Sequence, residues 1–106
     1  MKTQILIHEI STRLVQAYHP LEIYLYGPKN WSGIDDGDIE LVVVVDQSKE
    51  PHRIKRSFAG DKALFDLRVG TFVFVYTKQE FEAFLDDQST LAYLAKNQGQ
   101  KIYAKA

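Results

Sequence analysis

The chain has 106 residues, with 13 Lys and Arg against 14 Asp and Glu, three His and a formal net charge of -1. This length suits one domain around a single core; the near-neutral balance gives no general attraction to nucleic acid or an anionic membrane, and the lack of cysteine excludes disulfides, thiol catalysis and Cys-based zinc sites. No stretch approaches the ~20 apolar residues of a membrane span, and His8 and Glu9 interrupt the N-terminal MKTQILIHEI before signal-peptide length, so a cytoplasmic protein with no membrane partner is expected.

From Thr3 to Tyr18, Leu6, Ile10, Leu14 and Ala17 recur at helical spacing, and Pro20 blocks continuation. Leu21 to Tyr26 reads as a strand ending in the Gly27-Pro28 turn, and Lys29 to Gly37 as a polar loop. Asp38 to Asp46 is the strongest strand pattern; its unbroken apolar run from Leu41 to Val45 predicts burial on both faces and a central place in the sheet. Ile54, Phe58, Ala63 and Phe65 predict a further helix with these residues on its inner face, interrupted by Gly60. TFVFVYT, Thr71 to Thr77, is a third strand, and Thr77 with Glu80 forms a capping box for the helix that follows. Ser89 is placed to cap a last helix through Leu91, Leu94 and Ala95, ended by Gly99 before an extended piece from Lys101 to Ala104. The order is α β β α β α α with a possible closing strand. It predicts an α/β or α+β domain, a mixed sheet covered by helices, with no internal boundary.

Asp38 and Glu40 stand at i and i+2 of a strand, so both carboxylates share one face, about 7 Å apart at Cα. A solvated strand end accounts for most such pairs. Here a second feature lies a dozen residues upstream: a strand running into Gly27, a turn able to present backbone N–H groups to a phosphate. A hard divalent cation held by one or two carboxylates and by phosphate oxygens would satisfy both.

IYLYGPKNWSGIDDGDIELVVVVD resembles the signature of the minimal nucleotidyltransferases of the DNA polymerase β-like superfamily: an apolar strand, Gly-Ser, a polar loop, and Asp-x-Asp or Asp-x-Glu opening a second apolar strand. GDIELVVVVD is the closest part, and LVQAYHPLEIYLYG, VFVYTKQEFEAF and GQKIY are similar to further pieces of small bacterial members. The resemblance implies a nucleotidyltransferase fold, a small mixed sheet flanked by helices. It also implies a nucleoside triphosphate substrate, Mg²⁺ or Mn²⁺ held by Asp38 and Glu40 as the catalytic and metal-binding pair, and phosphate contacts from Gly27, Pro28, Lys29 and Ser32. Three departures matter, one of them a loop about one residue shorter than the family's. The family's serine after glycine corresponds to Pro28, which has neither hydroxyl nor N–H. Its third carboxylate falls at Phe72, and the nearest acidic residue, Asp66, lies six positions earlier.

The resemblance therefore implies one of two functions. The first is a Mg-dependent transfer of a nucleoside monophosphate to an unknown hydroxyl acceptor, for which Gly27, Asp38 and Glu40 speak. The second is a non-catalytic binding module acting with a helical partner chain, as in toxin–antitoxin pairs, for which Pro28 and Phe72 speak; a homo-oligomer is compatible with both. Lys29 and Ser32 are equally ordinary surface residues. Trp31 is either a stacking residue or a lid over the loop, and Asp35 and Asp36 read as turn residues, with recruitment of metal in place of a missing ligand as the alternative. His8, His19 and His52 show no ligand spacing and carry no assigned role. The run His52, Arg53, Lys55, Arg56 reads as a solvated helix face rather than a strip that guides a nucleic acid or nucleotide, and Tyr93 and Tyr103 fit the core as well as a partner surface.

Overall fold

The computed structural model of the chain describes residues 3–26 and 39–106. Helix α1 (Thr3–Tyr18) is followed by strands β1 (Glu22–Tyr26) and β2 (Ile39–Val45), helix α2 (Arg53–Leu64), strand β3 (Thr71–Thr77), helices α3 (Lys78–Phe84) and α4 (Leu91–Gln98), and strand β4 (Gln100–Ala104). Among the described residues these strands form one mixed sheet in the order β3-β2-β1-β4, with β1 antiparallel to β2 and β4, and β2 parallel to β3. The domain is α+β, as expected.

The valine run sits where its composition requires. β2 is an interior strand, and Leu41, Val43 and Val45 face α1 and α2 while Val42 and Val44 face α3 and α4. The first face packs on Leu6, Ile10 and Leu14 of α1, with Ile23, Leu64, Val73 and Val75; Ala17, the fourth member of the predicted stripe, is exposed in the last turn of the helix. The second is smaller and more aromatic: Tyr24, Tyr76 and Phe81 with Ala92 and Ala95, the Tyr24 and Phe81 rings lying 5.5 Å apart.

Local chemistry ends the helices. His19 takes a left-handed conformation (φ 47°) and its amide bonds to the Val15 carbonyl, closing α1 before Pro20. The Thr77 hydroxyl accepts from the Glu80 amide and the Glu80 carboxylate accepts from the Thr77 amide, the reciprocal cap read from the sequence. At α4 the cap is Thr90, not Ser89: the Thr90 hydroxyl accepts from the Tyr93 amide, while Ser89 is bonded to the Asp87 carboxylate. Gly99 ends α4 with its Cα against the Leu25 carbonyl, where a Cβ would come within 2.7 Å of that oxygen.

The larger correction concerns α2. It forms where predicted, but its buried residues are Arg56, Gly60 and Leu64, while Ile54 is 79% and Phe58 62% exposed and Phe65 projects into solvent beyond the helix end. Two contacts set this rotation. Gly60 is approached so closely by Val73 and Tyr18 that a Cβ would meet them at 2.8 and 2.9 Å, and its amide donates to the Tyr18 hydroxyl. Arg56 turns inward to Glu80 on α3, at 2.6 Å, and to the carbonyls of Glu50, Pro51 and Val75. The basic run is thus not a uniformly solvated face: Arg56 is an internal anchor, because a guanidinium fork can satisfy several acceptors at once.

Candidate functional site

Strand register sets out the site in cross-strand rows. Tyr26 on β1 stands opposite Glu40 on β2, and Glu40 stands opposite Phe72 on β3. The next row is Tyr24, Val42 and Phe74. Tyr24 and Val42 belong to the aromatic cluster under α3 and α4, so by alternation the Tyr26, Glu40, Phe72 row faces the same side. The two helices cover Val42, Val44 and Tyr76 but stop short of this outer row: Phe72 is 51% exposed, and Tyr26 and Glu40 are half-buried. Neighbouring strands lie about 4.8 Å apart, so the Glu40 side chain rises between two aromatic ones. Phe72 also stacks along its own strand on Phe74, ring centroids 6.4 Å apart and 28° between planes.

Glu40 is the member of the expected site that lies within the described residues, together with Phe72 at the position where the family's third carboxylate falls. Gly27, Pro28, Lys29, Ser32, Trp31, Asp35, Asp36 and Asp38 lie outside them. Alternation puts Phe72, Phe74 and Tyr76 on one face of β3, and it is the parallel register that places Phe72 directly opposite Glu40. Asp66 is not a substitute ligand there. It is hydrogen-bonded to the Arg13 guanidinium of α1, which holds its carboxyl below the usual carboxylate range. Tyr26 was not singled out from the sequence, because its place beside Glu40 follows from antiparallel pairing across residues 27–38.

The metal that the resemblance implies would need a third carboxylate beside Asp38 and Glu40. An aromatic ring cannot ligate a cation, and Phe72 stands directly opposite Glu40 on the adjacent strand. Among the described residues no three His, Asp or Glu side chains come together as a cation site. Among the described residues Glu40 is the one carboxylate of the expected site, and no transfer step follows from them. What the row offers is a carboxylate flanked by half-exposed rings, an arrangement suited to holding a planar or cationic group by stacking and charge.

A comparison with known proteins finds no matching family model, no matching curated protein and no matching solved structure.

Proposed function

We propose that the chain is a nucleotidyltransferase-type domain that has become a binding module: it takes up a nucleoside triphosphate at the Gly27, Asp38 and Glu40 end of the sheet, does not transfer it, and works with a partner chain. The observation that carries the reading is the pairing of Glu40 with Phe72 on the adjacent parallel strand. The helix, antiparallel strand pair, helix and parallel strand in chain order agree with the fold that the Gly-loop-Asp-x-Glu signature implies. Pro28, without a hydroxyl or N–H, removes a further phosphate donor.

Calorimetry of the purified chain with each nucleoside triphosphate, with and without Mg²⁺ or Mn²⁺, tests the reading together with an assay for pyrophosphate release. Binding without release is the expected result. Phe72→Asp, which places a third carboxylate opposite Glu40, should tighten Mn²⁺ binding in the presence of the nucleotide. Release by the wild type that Asp38→Asn with Glu40→Gln abolishes would establish the transferase instead. Failure of every nucleotide to bind would overturn both readings.

A further inference from the structure

The two edges of the sheet differ. β4 carries Lys101 and is followed by Lys105, the usual charged protection of an exposed edge. β3, at the other end, is seven residues long and has no charge and no proline. The Ile39 amide bonds to the Gly70 carbonyl at 2.9 Å, which sets the phase of the parallel ladder. Phe72, Phe74 and Tyr76 therefore direct their backbone groups to β2, and those of Thr71, Val73 and Val75 point outward. The Val75 carbonyl accepts from Arg56 at 3.4 Å.

Along this edge runs an open groove of about 350 Å³ between β3 and the flank of α2, lined by Arg53, Ile54, Ser57, Asp61 and the strand from Phe72 to Tyr76. Ile54 and Phe58, the predicted inner face of α2 that turned outward, lie on the solvent side of the same helix. The groove's charges stand at opposite ends. The Arg53 guanidinium lies 5.3 Å from the Tyr76 ring centre, and Asp61, about 12 Å along the helix, follows Gly60, which rests on Val73.

We propose that the occupant of this edge is a second copy of the same chain, paired antiparallel through β3 to form one sheet across a two-fold axis. Charge selects this occupant. Antiparallel pairing turns the Tyr76 end of one strand toward the Phe72 end of the other, so Arg53 of each copy approaches Asp61 of the other, and the contact is made twice. A two-fold axis normal to the sheet also sets the two α2 helices side by side on one face, where Ile54 of each copy leaves water. The outward backbone groups of Thr71 and Val73 gain partners, and Phe74 lies near its own counterpart. Phe72 belongs both to this edge and to the Tyr26, Glu40, Phe72 row, but the pairing follows from the groove and its charges, so the inference does not rest on the proposed function.

Sedimentation equilibrium of the full chain decides the matter. The expected particle is twice 12.2 kDa. Asp61→Arg and Arg53→Asp should each weaken dimerisation about ten- to hundredfold, since each places two like-charge contacts in the interface, and combining them should restore it. Ile54→Asp, at a position exposed in the monomer, should dissociate the dimer while leaving far-UV circular dichroism unchanged. A wild-type chain that stays monomeric at high micromolar concentration overturns the proposal. So does a dimer indifferent to both Ile54→Asp and the single charge reversals, or a monomer that pairs this edge with an extended segment of another protein.

Discussion

Arg56→Ala should be among the most destabilising single truncations in this domain. The Arg56 side chain is 6% exposed and donates through Nε to the Glu50 carbonyl at 2.6 Å, through Nη1 to Glu80 Oε1 at 2.6 Å, and through Nη2 to Glu80 Oε2 at 3.3 Å. It joins the connector before α2, the edge strand and the cap of α3. Truncation leaves the Glu80 carboxylate with the Thr77 amide and leaves the Glu50 carbonyl without this donor. Removing one member of a buried pair costs about 3–5 kcal/mol. Because the Glu80 side chain is 32% exposed and water replaces part of the loss, a value of about 3 kcal/mol is expected. For a domain of this size that lowers Tm by roughly 12–24 °C. Urea denaturation monitored by circular dichroism measures it, with Glu80→Gln as the control: a glutamine oxygen can still accept from the Thr77 amide, so its cost should be about 1 kcal/mol. An Arg56→Ala loss below about 1 kcal/mol, the range of an exposed ion pair, would refute the anchoring role.

Gly60→Ala should lower stability by about 1 kcal/mol in the same assay: a helical alanine gains about 1 kcal/mol over glycine, but overpacking against Val73 and Tyr18 costs about 1–3 kcal/mol. The Tyr18 hydroxyl cannot easily yield, being held by the Gly60 amide at 2.7 Å and the Arg56 carbonyl at 2.5 Å; a more stable variant would show that it does. Acid should destabilise the fold. The Arg56 hydrogen bond lowers the Glu80 pKa, Arg13 lowers that of Asp66 and the Ser89 side chain that of Asp87. Their folded pKa values lie below the unfolded ones, so their stabilisation is complete above the unfolded range of about 4 and is lost as pH falls through the folded values. Tm measured from pH 7 to pH 2 should drop on the acid side, and less steeply in Glu80→Gln than in wild type; identical slopes would remove Glu80 from the account.

Much of the fold was legible because its determinants are local. The apolar run of β2 has one stable location, the interior of a sheet covered on both sides. Thr77 and Glu80 are three residues apart and need nothing else to form their reciprocal cap, and Pro20 stops α1 by its own ring. The periodicity of Leu6, Ile10 and Leu14 predicted their common burial, though the same stripe continued to Ala17, which is exposed.

Tertiary structure decided what depends on who approaches whom. Helical periodicity gives α2 a candidate apolar face, but Tyr18 and Val73, from other elements, press on Gly60 and leave room there for no side chain, and Glu80 draws Arg56 inward. The helix therefore rotates, and Ile54 and Phe58 turn outward, Ile54 into the groove beside β3. The candidate site divides in the same way. Strand alternation is enough to put Phe72 and Phe74 on one face, because it is a property of one chain segment. That Phe72 meets Glu40, and that Tyr26 meets it from the other side, depends on the registers of two separate strand pairings. A slip of one residue would send each side chain to the opposite face, and it is burial of the valine rows, not any local preference at Glu40, that holds the register.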